Sequence, residues 1–336
     1  MKKLYLLFAT LLSIVNAYTQ SDALKSVVSV GMLFDSEYIL PQGTADTTGK
    51  IAFDKNNYQI CGFNANMAEG MKLSVNQLEG PYALVAGGSK GIGYAIAVAL
   101  ARRGYNLILI ARHADSLLSA KYNLESTYQV KVEILVHDLA MEESAGAIAK
   151  WCTDKNIHLK MLCNVAGFGG SRDYLSLPLD SLRYMVRLNV ESAMALTLTL
   201  LPLLEKNAPS YVLNVASMGG YAPIPVKNLY SATKSAVIFF SYALRYQLKN
   251  KNISVSCLTP GPVFTKPSIK KDTKAKLGWF GMQMAVSPER VGEIAVRETL
   301  NRKLIIVPGT IAKIATAVIR FLPRRWVVTL YGKVGG

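Results

Sequence analysis

The chain has 336 residues, of which 51% are hydrophobic and 18% charged, and its formal net charge is +16. This composition excludes an intrinsically disordered chain and supplies enough apolar side chains for a large core. The three histidines, His113, His137 and His158, lie far apart and the cysteines lack metal-binding spacing, so no metal site is predicted. Positive charge is concentrated in residues 266–336, which carry 14 basic and 4 acidic side chains.

The N-terminal 80 residues divide into two segments. Residues 1–17 have the form of a signal peptide or anchor, because a basic start is followed by an apolar run to Val15 and by the small residue Ala17. That run is too short for an ordinary membrane-spanning helix. Residues 18–80 form a mostly polar extension to which the sequence assigns no role.

A glycine-rich turn joins the apolar run 82–86 to a strongly helix-forming segment, 94–101. Its Gly-x-x-x-Gly-x-Gly pattern permits positive φ and lets the backbone approach a pyrophosphate, which the helix N-terminus stabilises. For this motif alone, a tight strand-to-helix turn without a ligand is an equal alternative. The predicted cofactor contacts in the turn are Gly87, Ser89, Lys90, Gly91, Ile92 and Gly93.

Strand-like apolar runs alternate with helical segments along the rest of the chain. The runs are 82–86, 106–111, 131–136, 159–164, 210–215, 252–258 and 303–307. This alternation is typical of parallel sheets whose crossover connections are helices. We therefore predict an α/β fold with a doubly wound, Rossmann-type parallel sheet of about seven strands and helices on both faces.

Tyr230 and Lys234 are four positions apart on a predicted helix and therefore share one face. An ammonium beside a phenol favours the phenolate and opposes its ordinary pKa of about 10. Such a phenol can exchange a proton with a substrate oxygen near neutral pH. As an isolated pair, however, the two residues are equally typical of a solvated helix surface.

Further motifs at suitable spacing decide between these interpretations. They are Asn164-Val165-Ala166-Gly167, Asn189, Ser217 thirteen residues before Tyr230, and the segment Pro260 to Thr265. With them, the chain resembles the short-chain dehydrogenase/reductase family from residue 81 to at least residue 310. It departs from the family pattern at Ala86, where a threonine hydroxyl usually ties the turn together, and at Val165.

The resemblance implies a Rossmann catalytic domain over residues 81–310, followed by a basic amphipathic tail over 311–336. It also implies a homodimer or homotetramer. The implied catalytic residues are Asn189, Ser217, Tyr230 and Lys234. The implied cofactor contacts outside the glycine turn are Asn164, Ala166, Gly167, Tyr230, Lys234, Pro260, Gly261, Val263 and Thr265.

A carbonyl that accepts a hydride develops negative charge on its oxygen and needs donors directed at that atom. Ser217 is expected to supply a hydrogen bond and Tyr230 the proton. Lys234 is expected to lower the pKa of Tyr230 and to hold the nicotinamide ribose, while Asn189 orients a water beside it. The hydride itself belongs to the cofactor.

Arg112 ends the predicted strand 106–111, at the position where NAD-binding folds keep a carboxylate. Lys90 adds a second cation near the same place. Two cations there favour a 2′-phosphate, so the predicted cofactor is NADP(H). Asp138, after the strand 131–136, resembles the family residue beside the adenine.

The substrate is expected to be a small molecule, a lipophilic carbonyl or alcohol such as an acyl chain or a steroid-like ring, because Trp279, Phe280 and other large apolar residues occupy the family's variable lid, 266–284. That these residues simply pack the lid is an equal alternative. The amphipathic segment 311–322 suits packing at a dimer interface or pocket edge, or alternatively peripheral contact with a membrane. Basic residues show no interleaved stacking array, so no nucleic-acid partner is predicted.

Cys163 and Cys257 fall in predicted core strands, which is unlike a disulfide framework, and NADP(H) is an intracellular cofactor. A cytoplasmic catalytic domain, alone or held at a membrane, is therefore expected, with export through residues 1–17 as the alternative. A non-catalytic NADP(H)-binding sensor or scaffold is the alternative function. It would be expected to lack Ser217, Tyr230 or Lys234, and all three are present.

Overall fold

The computed structural model describes residues 80–169, 174–265, 273 and 282–335. The predicted segments 1–17 and 18–80, apart from Gly80, therefore lie outside the described residues. The strands are β1 (Tyr82–Ala86), β2 (Asn106–Ala111), β3 (Val132–Val136), β4 (Leu159–Asn164), β5 (Ser210–Val215), β6 (Ile253–Leu258) and β7 (Ile305–Ile306). The helices are α1 (Gly91–Ala101), α2 (Ala114–Tyr128), α3 (Ser144–Asp154), α4 (Leu179–Val186), α5 (Ser192–Lys206), α6 (Asn228–Gln247), α7 (Pro288–Leu300), α8 (Thr310–Phe321) and α9 (Arg324–Gly335).

The strands form one parallel sheet in the order β3-β2-β1-β4-β5-β6-β7. The predicted fold class is confirmed, and the first six strands agree with the predicted runs to within one residue. The seventh is shorter than the predicted 303–307, because only Ile305 and Ile306 pair with β6. Pro308 follows closely and has no N–H to extend the ladder.

Successive side chains of the strands enter two different apolar layers, as the two-residue period of a strand requires. Val85, Leu107 and Leu109 pack on one face with α1, α2 and α7. Leu84 and Ile108 pack on the other face with α3 and α5. Because both faces are covered by helices, the strands are apolar throughout rather than alternating with polar residues.

The C-terminal helices α8 and α9 are packed into the same unit as the sheet. Ala312, Ile319 and Val327 are buried. Ile319 and Val327 join a buried cluster that includes Tyr221 and Ile238. The segment 311–322 coincides with α8 to within one residue, and buried apolar side chains of this helix pack within the chain.

One described helix, the continuous run Leu179–Lys206, is long and apolar enough to cross a membrane. Half of its most apolar window is buried inside the fold, where Leu196 and Leu200 pack under the sheet. A helix in the core of a globular domain can have the same length and apolar composition.

Cys152, Cys163 and Cys257 are buried, and each is a free thiol.

Candidate active site

The carboxyl ends of β1 and β4 lie side by side, and the chain turns to opposite halves of the sheet from these two strands. Ligands of doubly wound sheets bind at such a switch point. The backbone joins the two ends directly, because the N–H groups of Val165 and Ala166 both donate to the Ala86 carbonyl, at 3.0 and 2.7 Å. The loops that leave β1 and β4 are therefore fixed against each other at the predicted cofactor site.

The glycine turn has no room for larger residues. Gly87 has φ of +87°, and a Cβ atom there would lie 2.8 Å from the Ala166 nitrogen. A Cβ on Gly93 would lie only 2.0 Å from the Gly87 carbonyl oxygen. Ser89 and Lys90 lie in this turn immediately before α1, and Lys90 is exposed. The turn fits a bound pyrophosphate, since backbone N–H groups and a cation are available there.

Ser217, Tyr230 and Lys234 come together beyond the end of β5. The Ser217 hydroxyl accepts a hydrogen bond from the Gly219 N–H at 3.1 Å. Burial raises the pKa of Tyr230, and a hydrogen bond with Ser217 opposes that rise. The structure therefore places the two predicted donors next to each other, although they come from a loop and a helix thirteen residues apart.

Lys234 is only 4% exposed, and its ammonium donates to the Val215 carbonyl at 2.9 Å. Its Nζ lies 5.9 Å from the centre of the Tyr230 ring. Burial lowers the pKa of Lys234 to about 8. The pKa of Tyr230 is raised in this structure, because desolvation of the phenol is the largest influence on it, and the Lys234 ammonium is directed at a backbone carbonyl. A lowering of that pKa by Lys234 stays a prediction.

Asn189 lies in a π-helical segment, Arg187–Glu191, that interrupts the helix between α4 and α5. Its carbonyl oxygen accepts from the Phe168 N–H at 2.6 Å, and its amide donates to the Phe168 carbonyl at 2.9 Å and to Thr233 at 3.1 Å. It thus joins the loop after β4 to the helix of Tyr230. Single π-helical turns are frequent at functional sites.

Gly167 completes this side of the site. A Cβ atom there would lie 3.2 Å from Lys234 Nζ and 3.4 Å from Asn189 Oδ1. The loop after β4 therefore passes directly over two of the predicted catalytic residues. Asn189, Ser217, Tyr230 and Lys234 all lie around one end of β4 and β5.

The Asn164 side chain is buried and forms hydrogen bonds with other side chains inside the fold. Its amide donates to Asn214 at 2.8 Å and to Thr197 at 3.0 Å, and Asn214 donates in turn to Ser241 at 3.0 Å. This buried polar network joins β4 and β5 to α5 and α6. The side chain of Asn164 therefore stabilises the strands that carry the site, and its contact with the cofactor stays a prediction.

The segment from Pro260 to Thr265 runs along the other side of the site. The Pro260 carbonyl accepts from the Met218 N–H at 3.0 Å, and Val263 forms a β-bridge with Val286. The Thr265 methyl lies 3.3 Å from the Cβ position of Gly91. Gly261, also predicted to contact the cofactor, lies between Pro260 and Val263 in this segment. Of the predicted lid, only Thr273 and residues from Met282 onward are among the described residues.

The Tyr184 hydroxyl lies between Arg112 and Asp138, and nothing in the sequence indicated this residue. Arg112 Nη1 donates to the Tyr184 hydroxyl at 2.6 Å, and that hydroxyl lies 3.4 Å from each Asp138 carboxylate oxygen. Tyr184 lies on α4, and its ring meets the edge of Phe168 at a centroid distance of 6.3 Å. No spacing rule could have indicated Tyr184, since its contacts come from three separate loops.

Comparison with known proteins agrees with this geometry. The family model described as short chain dehydrogenase matches residues 81–276. The protein belongs to the short-chain dehydrogenase family. Membership makes it an oxidoreductase, and the glycine turn and the four predicted catalytic residues all fall inside the matched region.

Individual relatives differ in their reported substrates. Very-long-chain 3-oxoacyl-CoA reductase-A of Danio rerio is 30% identical over 219 residues, which is 61% of this chain and 68% of that protein. Dehydrogenase/reductase SDR family protein 7-like of Drosophila melanogaster is 31% identical over 251 residues, covering 71% and 76%. L-sorbose reductase of Gluconobacter frateurii, solved with NADPH and L-sorbose, is 25% identical with a TM-score of 0.62 and covers 69% and 95%.

Proposed function

We propose that this protein is an NADPH-dependent oxidoreductase that interconverts a carbonyl and an alcohol on a lipophilic substrate. The observation that carries the proposal is the convergence of Ser217, Tyr230, Lys234 and Asn189 at one end of β4 and β5, beside the glycine turn. The family supports the reaction class, and the remaining details come from the residues of this chain.

The residues that would hold the cofactor line the switch point. The glycine turn and the N-terminus of α1 suit the pyrophosphate, while the loop from Asn164 to Gly167 and the segment from Pro260 to Thr265 suit the nicotinamide half. Lys234 suits the nicotinamide ribose, because its ammonium lies directly under Gly167. When bound, NADPH supplies the hydride.

Tyr230 gives a proton to the substrate oxygen in the direction of reduction and takes it back in the direction of oxidation. Ser217, whose hydroxyl lies near the Tyr230 ring on the same side of Gly219, donates to the same oxygen as negative charge develops there. A protonated phenol is the form needed for reduction, and burial keeps Tyr230 in that form. Lys234 supplies positive charge beside the phenol when the phenolate forms.

Arg112 and Lys90 support NADP(H) as the cofactor. Both are exposed cations, one at the end of β2 and one at the start of α1. A 2′-phosphate between them would be bound by charge-assisted hydrogen bonds. The NADPH complex of the sorbose reductase supports the same choice. Asp138 stays a prediction for the adenine contact.

An apolar substrate is supported by the surroundings of Ser217. Met218, the next residue, packs with Met284 and Ala312 in a small apolar cluster, and Ile311 packs against it. Methionines adapt to irregular apolar shapes. The names of the 3-oxoacyl-CoA reductases support a long acyl chain as the first class to test.

The test is NADPH oxidation by the full-length protein with ketones and 3-oxoacyl thioesters of increasing chain length. The expected result is turnover that improves with chain length and prefers NADPH to NADH. Tyr230→Phe should bind NADPH equally well and turn over none of these substrates. Tight NADPH binding without turnover of any carbonyl would instead support the non-catalytic sensor.

We also propose that the protein is a homodimer or homotetramer. Leu198 on α5 and Phe239 and Tyr246 on α6 are exposed apolar residues, and Tyr246 is 81% exposed. A second copy of the same surface would bury them. Light scattering should give a mass above that of one chain, and Phe239→Ser should lower it.

Peripheral membrane contact is proposed for the corner between α8 and α9. Phe321 is 90% exposed, Trp326 is exposed beside it, and Arg325 adds positive charge. Such a mixture suits the interface of an anionic membrane. Phe321→Ser combined with Trp326→Ser should reduce co-sedimentation with phosphatidylserine vesicles. Equal sedimentation of the wild type with neutral and anionic vesicles would contradict a role for the basic residues.

A further inference from the structure

Arg112 is an exposed residue held in a defined place. Its Nη1 donates to the Tyr184 hydroxyl at 2.6 Å, and its guanidinium carbon lies 5.7 Å from the centre of the Tyr184 ring. An unrestrained arginine loses considerable side-chain entropy when it binds a ligand. Here one of its five N–H donors is already engaged by the Tyr184 hydroxyl, so part of that entropy is lost before any ligand binds.

Tyr184 is itself fixed from two sides. Its ring meets Phe168 edge-on, at an interplanar angle of 78°, and the backbone of Phe168 is bracketed by Asn189 through two hydrogen bonds. Its hydroxyl lies 3.4 Å from both oxygens of Asp138, and Asp138 Oδ1 is held by the Ala140 N–H at 3.0 Å. The phenol is therefore a rigid support for Arg112.

The hydroxyl of Tyr184 also separates two opposite charges. A phenol has one proton to donate and lone pairs to accept, so it can accept from Arg112 while it donates towards Asp138. Within the part of the chain that the structure describes, Arg112 and Asp138 form no direct ion pair. Such a pair would occupy the guanidinium donors that a phosphate needs.

We propose that Tyr184 is a positioning residue that makes Arg112 selective for the 2′-phosphate of NADP(H). It holds the guanidinium at the end of β2 and keeps it from pairing with Asp138. The inference rests on the proposed cofactor, and it assigns the preference to a tyrosine on α4 as well as to the cation itself.

The test is Tyr184→Phe, which keeps the ring and its contact with Phe168 and removes only the hydroxyl. Dissociation constants of the full-length protein for NADPH, NADH and 2′,5′-ADP would be measured by fluorescence titration and competition. The hydroxyl accepts a charge-assisted hydrogen bond, and we expect weaker binding of NADPH and 2′,5′-ADP by roughly 5- to 30-fold. Binding of NADH should change by less than about twofold, because it lacks the phosphate.

The matched control is Tyr122→Phe, which removes the hydroxyl of an exposed tyrosine on α2 and should leave every constant unchanged. A double mutant tests whether Tyr184 acts through Arg112. In an Arg112→Ala background, Tyr184→Phe should produce no further loss of NADPH affinity. A merely structural role would weaken NADPH and NADH equally in both backgrounds.

The outcomes separate this inference from the proposed cofactor. If the wild type fails to prefer NADPH over NADH, both are overturned. If the wild type prefers NADPH and Tyr184→Phe keeps the same ratio of the two constants, only the role of Tyr184 is overturned. A tighter complex of Tyr184→Phe with NADPH would also overturn it, since the hydroxyl would then be holding Arg112 away from the phosphate.

Discussion

The two ends of the proposed site, a catalytic end around Tyr230 and Lys234 and an adenosine end around Arg112 and Lys90, are built in different ways on the same edge of one sheet. Asn189 and Lys234 are 2% and 4% exposed, and hydrogen bonds tie them to the backbone of other elements. Arg112 and Lys90 are exposed, and Arg112 is supported through a single side chain. Proton transfer needs fixed donors in a dry environment, whereas a phosphate can be recognised by charged groups at the surface.

This contrast predicts that substitutions at the catalytic end abolish turnover or folding, while substitutions at the adenosine end change only the choice of cofactor. The sharpest case is Tyr230→Phe, which removes the proposed proton donor and leaves the ring. Positioned acid–base groups contribute roughly 10²- to 10⁴-fold to rate, and we expect a loss of kcat in that range. Stopped-flow measurement of the chemical step should show it, with NADPH affinity unchanged. Turnover at the wild-type rate would remove Tyr230 from the mechanism.

Arg112→Asp tests the adenosine end. A carboxylate facing the 2′-phosphate should weaken NADPH binding by roughly 10- to 100-fold and leave NADH binding nearly unchanged. The apparent kcat with saturating NADH should equal that of the wild type, because the catalytic cluster is untouched. If the preference for NADPH persists, Lys90 carries it, and Lys90→Ala should then remove it.

Gly93→Ala tests the close approach of Gly93 to Gly87 within the glycine turn. Its Cβ would lie 2.0 Å from the Gly87 oxygen, so the turn must open. Overpacking of this kind costs about 1–3 kcal/mol in the free energy of unfolding, and the distorted turn should bind neither NADPH nor NADH well. Gly146→Ala on α3 is the matched control, because nothing lies within 4 Å of its Cβ position. Equal melting temperatures of the two variants would contradict the described turn.

The smallest effect concerns the buried ammonium of Lys234. Its pKa in the folded protein is about 8, against an ordinary value of 10.5. Between these values the unfolded chain binds more protons, so this residue makes the free energy of unfolding rise with pH across that window. Below pH 8 both states are protonated and the cost of burying the charge is constant.

Lys234→Met should therefore be more stable than the wild type below pH 8, with an advantage that shrinks as the pH rises towards 10.5. Denaturant unfolding of both proteins without cofactor, at several pH values, would measure the difference between their free energies of unfolding. The ionisation of all other groups contributes equally to both proteins and cancels in this difference. A stability difference independent of pH would show that the lysine keeps its charge when buried. The variant should be inactive at every pH.

Most strands could be predicted because both of their faces are buried, which leaves unbroken apolar runs between turns. The proposed site residues were easiest to name where they follow a local motif, as at Gly87 to Gly93 or at Tyr230 and Lys234, and their roles stay predictions. Asn164 shows the limit of such reasoning. It belongs to the motif, yet its amide is engaged by Asn214 and Thr197, which are distant in the sequence.

The sequence by itself determined the parallel sheet and the glycine turn, because each depends on periodicity or on residues close together in the chain. It also named Asn189, Ser217, Tyr230 and Lys234 as the proposed catalytic residues. Only the tertiary structure decided the raised pKa of Tyr230, the contact of Asn189 with Phe168 and the support of Arg112 by Tyr184. Desolvation and hydrogen bonding depend on which atoms surround a group after folding. Those atoms come from elements tens of residues away.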